Sequence, residues 1–137
     1  MSFISFKDVR KVYKMGEVEI NALDGVSFDI NEGEFVIIAG NSGAGKSTVL
    51  NLLGGMDTVT SGKIEVDGKE VSSFDDKKLT LYRRDDVGFV FQFYNLIQNL
   101  TLRENVELAT QISSKPLDLD KVIESVGLTE RTANFPS

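Results

Sequence analysis

Cysteine, histidine and tryptophan are all absent from this 137-residue sequence, and proline occurs only twice. Without cysteine there are no disulfides and no zinc sites built on thiolates. Without histidine the chain lacks the commonest transition-metal ligand and the usual general base near neutral pH. Any metal is therefore expected to have oxygen ligands. No apolar run approaches the ~18 residues of a membrane span, and residues 1–8 (Met-Ser-Phe-Ile-Ser-Phe-Lys-Asp) lack the basic-then-apolar layout of a secretory signal. Lys and Arg number 15 against 21 Asp and Glu, a formal net charge of −6. That balance argues against the basic face a nucleic acid demands, so no nucleic-acid partner is expected. Together these absences point to a cytosolic location. A hydrophobic content of 41% with 26% charged residues is that of a globular chain, long enough for one domain with a real core.

Glycine, by contrast, is concentrated where it matters. Residues 40–47 read Gly-Asn-Ser-Gly-Ala-Gly-Lys-Ser, a full match to the phosphate-binding pattern G-x-x-x-x-G-K-[ST]. Such a loop turns successive backbone N–H groups toward an anion, a geometry that glycine permits. Gly40, Asn41, Ser42, Gly43, Ala44 and Gly45 are expected to form the cradle, with Thr48 completing it. Lys46 adds a positive charge for the β- and γ-phosphates, and the Ser47 hydroxyl is suited to Mg²⁺. A Gly-rich turn that happens to carry a lysine is the alternative reading. The context separates the two: residues 35–39 (Phe-Val-Ile-Ile-Ala) read as a buried parallel strand, and Val49, Leu50, Leu52 and Leu53 follow at helical spacing until Gly54-Gly55.

Elsewhere, three short strands are expected at residues 4–6, 18–22 and 26–30, the last alternating cleanly as Val-Ser-Phe-Asp-Ile. Ile64-Glu65-Val66 and Lys69-Glu70-Val71 flank Asp67-Gly68, which favours a type I′ hairpin. A short helix over about residues 79–84 precedes a second buried strand at residues 87–91 (Val-Gly-Phe-Val-Phe). Thr101 with Glu104 forms a capping box, after which Leu102, Val106 and Ala109 share a face. Leu119, Val122, Ile123 and Val126 make a second stripe closed by Gly127, and a third short helix is expected from Thr129.

These residues resemble the nucleotide-binding domain of ATP-binding cassette (ABC) transporters. Residues 40–48 fit the narrower form G-x-S-G-x-G-K-S-T, Val12-Tyr13 resembles the aromatic A-loop, and residues 87–92 resemble the strand leading to the Q-loop, with Gln92 as its glutamine. Asn95-Leu96 and residues 102–106 (Leu-Arg-Glu-Asn-Val) are similar as well. The likeness is to the macrolide-exporter, lipoprotein-releasing and antimicrobial-peptide types, carried by residues 13–17, Ala22-Leu23 and residues 88–92. It implies ATP and Mg²⁺ as cofactors, with Tyr13 stacking on adenine, Lys46 and Gln92 in the catalytic machinery, and Ser47 and Gln92 at the metal. It also implies a transmembrane permease as partner, a second copy sandwiching ATP, and a place on the cytoplasmic face of the membrane.

The implied fold is α/β: a P-loop NTPase core with an N-terminal antiparallel β subdomain over residues 1–91, then the Q-loop and the start of an α-helical subdomain over residues 92–137. The family's L-S-G-G-Q signature, second acidic strand, water-orienting glutamate and switch histidine have no counterpart in the 137 residues. The chain thus reads as the front part of a domain with an incomplete sheet, expected to bind nucleotide without efficient hydrolysis and to be prone to swapped dimers.

On the residues alone, Tyr13 reads as core filling and Gln92 as a surface amide. Phe91 is expected in the core, whereas Phe93, Tyr94 and Leu96, if exposed, suit a helix from a membrane partner. Arg83-Arg84 reads as a solvated helix end and Asp85-Asp86 as a turn rather than a metal site. An inactive nucleotide-binding module is a second hypothesis. A different P-loop enzyme is a third, although no N-K-x-D motif is present. An ABC-type DNA-repair ATPase is disfavoured by the acidic balance and the exporter-like region around Tyr13.

Overall fold

The structure, a computed structural model, describes residues 2–137. They form two compact units, one up to Arg83 and one over Arg84–Ser137.

The first unit is built on a sheet of order β2-β1-β3-β4, with β1 at Ile4–Met15, β2 at Val18–Ile30, β3 at Ser61–Val66 and β4 at Lys69–Glu70. Every neighbouring pair is antiparallel. Met15 pairs with Val18 across a tight turn in which Gly16 has φ 65°. The β3–β4 turn carries Asp67 at φ 48° and Gly68 at φ 72°, the double positive φ of a type I′ hairpin. The short strands expected in the first third are therefore segments of two long ones. What hides this in the sequence is a bulge. Pairing of β1 with β2 shifts between Phe6 and Val9 and again before Val12, and Asp8 takes φ 46° with its N–H donated to Ser27 Oγ at 2.8 Å. Gly62 accommodates the bulge from the other side: a Cβ there would lie 2.3 Å from the Asp8 carbonyl oxygen.

Helix α1 (Lys46–Leu53) packs on this sheet. Its buried Val49 and Leu52 join Phe6, Val9, Leu23 and Ile64 in the core, and Phe28 stacks on Phe6 with ring centroids 4.4 Å apart. Burial of each such aliphatic side chain contributes about 1.5–3 kcal/mol. A Schellman motif ends the helix: Met56 N–H donates to Asn51 O at 2.8 Å and Gly55, at φ 69°, donates to Leu52 O at 3.2 Å. Helix α2 (Asp76–Asp85) reaches the same end of α1, where Tyr82 Oη donates to Leu53 O at 2.8 Å and Arg83 Nη1 to Gly55 O at 2.6 Å. Arg83 is thus a clasp on α1 rather than a solvated helix end. Its cation faces the negative end of the α1 dipole, which favours that placement.

The second unit holds α3 (Leu102–Ile112) and α4 (Leu119–Ser125). The capping box is formed as expected, with Glu104 N–H on Thr101 Oγ1 and the Glu104 carboxylate on Thr101 N–H. Further N–H groups of the first turn of α3 are met by carbonyls from later in the chain, Leu102 by Asn134 O at 2.7 Å and Arg103 by Thr132 O at 3.0 Å. Gly127, at φ 72°, and Leu128 close α4 through bonds to Glu124 O and Ile123 O, a second Schellman motif. A single 3₁₀ turn at Thr129–Arg131 stands where a third helix was expected.

Two expected strands are not formed. Residues 35–39 and 87–91 belong to no sheet, and Phe35, Ile37 and Val90 are exposed at 92%, 77% and 101%. A parallel strand is stabilised by ladders on its edges and helices on its faces. Among the described residues the only sheet is the antiparallel one, and neither run is hydrogen-bonded into it. Phe91, expected in the core, is 42% exposed for the same reason and stacks on Phe89 at 5.3 Å.

Candidate functional site

The P-loop lies at the N-terminus of α1 and its shape follows from two glycines. Gly43 has φ 79° and Gly45 φ 87°, while Ala44 between them and Lys46 after them keep negative φ. Alternating backbone handedness makes a concave nest of N–H groups, a site for phosphate oxygens. Gly45 also allows close approach to β2: a Cβ on it would lie 2.5 Å from the Ala22 carbonyl oxygen and 2.8 Å from Leu23 Cδ2. The turn is braced internally by Ala44 N–H on Asn41 O at 3.1 Å.

Lys46 folds back across the loop that precedes it. Its Nζ donates to Gly40 O at 2.7 Å and to Asn41 O at 2.5 Å. These bonds fix the ammonium at the rim of the nest with a donor still available to an anion, since an ammonium has three. The Ser47 side is exposed and Thr48 is half-buried. Gly40, Asn41, Ser42, Gly43 and Ala44 are all exposed, so the concavity is accessible from solvent.

Tyr13, half-buried on β1, sits in a cluster that sequence reading missed. Its Oη donates to Asp57 Oδ2 at 2.7 Å. The other carboxylate oxygen accepts Lys11 Nζ and Thr58 N–H, each at 2.7 Å. Lys11 Nζ also donates to Thr58 O at 2.6 Å and lies over the Tyr13 ring, 4.9 Å from its centroid. The hydrogen bond to Asp57, with burial and the carboxylate's charge behind it, raises the Tyr13 phenol above its ordinary pKa, while Thr48 at the same phenol pulls the other way. The structure thus brings Tyr13 and the P-loop residue Thr48 together. For Asp57, burial pushes the carboxyl up, but the bonds from Lys11, Tyr13 and Thr58 outweigh it and leave the group below its usual range. One signal was there to read: Lys11 and Tyr13 are two apart on one strand, the spacing that places side chains on the same face.

Gln92 belongs to the second unit, where it is exposed in an irregular segment with Phe93 and Tyr94, themselves 75% and 87% exposed. Asp85, in the same unit, is held below its usual range by Arg84, whose guanidinium binds both carboxylate oxygens at 3.0 and 2.9 Å, and by Ser114 Oγ at 2.9 Å. Among the described residues no three His, Cys, Asp or Glu converge on a point that would hold a metal. A cation near Ser47 would therefore take hydroxyl, amide and phosphate oxygens, the hard donors that suit Mg²⁺.

Comparison with known proteins gives this loop its setting. Residues 23–136 match the ABC transporter family. An uncharacterized ABC transporter ATP-binding protein of Thermotoga maritima is 47% identical over 135 residues, covering 95% of this chain and 58% of that protein. The macrolide export ATP-binding/permease protein MacB of Hyphomonas neptunium is 41% identical over 138 residues, covering 97% of this chain and 21% of that protein. Among solved structures, the dimeric, post-hydrolysis ATP-binding cassette MJ0796 of Methanocaldococcus jannaschii, bound to ADP and Pi, superposes with a TM-score of 0.84 at 43% identity, covering 97% of this chain and 61% of that one. The chain therefore spans less than two thirds of the length of these relatives. With a P-loop of this geometry and matches of this extent, the chain belongs to the ABC transporter family, on its ATP-binding side.

Proposed function

We propose that this chain binds Mg-ATP at the loop of residues 40–48 and contributes, in the whole subunit, to ATP hydrolysis that drives transport through a membrane permease. The observation that carries the reading is the nest at Gly43 and Gly45 with Lys46 clamped across its rim. The backbone N–H groups of the loop over residues 42–46, Ala44 apart because it braces the turn, and the start of α1 would meet phosphate oxygens, and Lys46 would offset their charge. Ser47 would hold Mg²⁺, which screens the phosphates when bound. Tyr13 would stack on the base and Thr48 would complete the cradle. The relative MJ0796, whose solved structure is dimeric and bound to ADP and Pi, supports a second copy as partner, and the ATP-binding/permease make-up of MacB supports a permease. No helix among the described residues is long and apolar enough to cross a membrane, and the ATP-binding/permease make-up of MacB supports attachment to the inner face through that partner.

Calorimetric titration tests this. Mg-ATP should bind the chain, and Lys46→Ala should weaken binding at least tenfold, as expected for loss of about 1.5–3 kcal/mol from a charged hydrogen-bond donor. Phosphate release by the chain alone should stay at background. Binding that is indifferent to Lys46→Ala would reject the P-loop assignment, and steady turnover would reject the restriction to binding.

A further inference from the structure

We infer that Asp57 and Lys11 are positioning residues for Tyr13, locking its ring in one plane with a single face open to a nucleotide base. The inference rests on the nucleotide-binding reading above and adds to it how the base is met. Three observations carry it. The phenol hydroxyl is committed to Asp57 Oδ2 at 2.7 Å, which fixes the far end of the ring. The Lys11 ammonium lies over the ring, 4.9 Å from the centroid, so one π-face is occupied by a cation. Lys11 itself cannot swing away: its side chain is 11% exposed and its Nζ is held by Asp57 Oδ1 at 2.7 Å and Thr58 O at 2.6 Å.

The consequence is a stacking platform preorganised before ligand arrives. Restricting a side chain to its bound geometry removes an ordering cost that would otherwise weaken binding. With its hydroxyl taken, Tyr13 offers a base only its π-face, and stacking of that kind reads aromatic surface rather than the hydrogen-bonding edge. The pair Asp57 and Lys11 would therefore strengthen binding of the nucleoside part while leaving the phosphates to the P-loop. Their contribution is separable by a ligand that has phosphates and no base.

The test is calorimetric titration of the chain with Mg-ATP and, in parallel, Mg-tripolyphosphate. Tyr13→Phe keeps the ring and removes the phenol's contacts, the bond to Asp57 and the one with Thr48. A ring that acts by size alone would bind ATP as before. A ring that must be held should lose about fivefold in ATP affinity, the scale of one hydrogen bond, with tripolyphosphate affinity unchanged. Asp57→Asn should move the same ratio in the same direction. General loosening of the fold would weaken both ligands together, so the ATP-to-tripolyphosphate ratio reports positioning alone. Unchanged ATP affinity in Tyr13→Phe overturns the inference and leaves the P-loop reading intact. Equal affinity of the native chain for both ligands also overturns it, since the base then contributes nothing. Failure of the native chain to bind either ligand removes the nucleotide reading and this inference with it.

Discussion

Asp57 concentrates an unusual load on one carboxylate: a buried ammonium, a phenol and a backbone N–H, from Lys11, Tyr13 and Thr58. Removing it leaves the Lys11 cation with only the Thr58 carbonyl and the Tyr13 ring in a site where its side chain is 11% exposed. Asp57→Ala is expected to cost about 3 kcal/mol, the lower end of the range for breaking a buried pair, because Asp57 retains partial solvent contact. The loss should depend on pH with a definite sign. The folded-state carboxyl lies below its ordinary value, so the unfolded chain binds the proton more tightly. The stability Asp57 contributes is whole above about pH 4, the ordinary carboxylate range, and drains as pH falls through the folded value. Urea denaturation of the native chain and of Asp57→Ala at pH 7 and near pH 3 should show the gap between them closing in acid. A gap that is constant across that range would remove the ionic account. The spacing of Lys11 and Tyr13 on one strand announces only half of this group, because the partners Lys11 and Asp57 are distant in the chain and meet only once β1 and the segment after α1 are side by side. Tyr13 was legible as an aromatic near a strand; what holds it was not.

At the scale of elements, the loop and α1 were legible because their signals are local. The glycine spacing, the lysine and the apolar positions Val49 and Leu52 all fall within residues 40–53. The extent of β1 and β2 was not, since the bulge at Asp8 breaks their alternation and depends on Gly62, which approaches from another strand. A comparison of two loop glycines tests how tightly the loop is tied to the sheet. Both have positive φ, 79° at Gly43 and 87° at Gly45, but a Cβ at Gly43 meets nothing within 4 Å, whereas one at Gly45 strikes Ala22 O at 2.5 Å. Gly43→Ala is expected to cost only the left-handed penalty of about 1–2 kcal/mol. Gly45→Ala must also push the loop off β2 and should cost at least about 1 kcal/mol more, a further drop of roughly 4–8 °C in melting midpoint for a unit of this size. Equal midpoints would mean that the loop is free of the sheet.

For the molecule as a whole, the two apolar runs at residues 35–39 and 87–91 show where reading from pattern stops. Continuous apolar sequence reports a need for burial, and it does not report whether the burying partner lies in the same chain. Both runs are apolar as read, and neither is paired in a sheet among the described residues: Ile38 packs on the core, but Phe35 is 92% exposed, Ile37 77% and Val90 101%. Exposed apolar backbone outside any ladder offers both hydrophobic surface and unpaired N–H and C=O groups, the conditions for association between copies. The chain is therefore expected to self-associate, with mass by light scattering rising between about 1 and 100 µM, a range in which weak contacts of this kind are populated. Ile37→Lys places a charge in the first run at a position that packs on little, so it should shift the equilibrium toward monomer while changing unfolding stability by no more than about 0.5 kcal/mol. A native chain that stays monomeric across that concentration range would show that these runs are shielded in solution. Association that ignores Ile37→Lys would place the contact outside the first run, with Val90, Phe93 and Tyr94 among the most exposed apolar residues of the second unit.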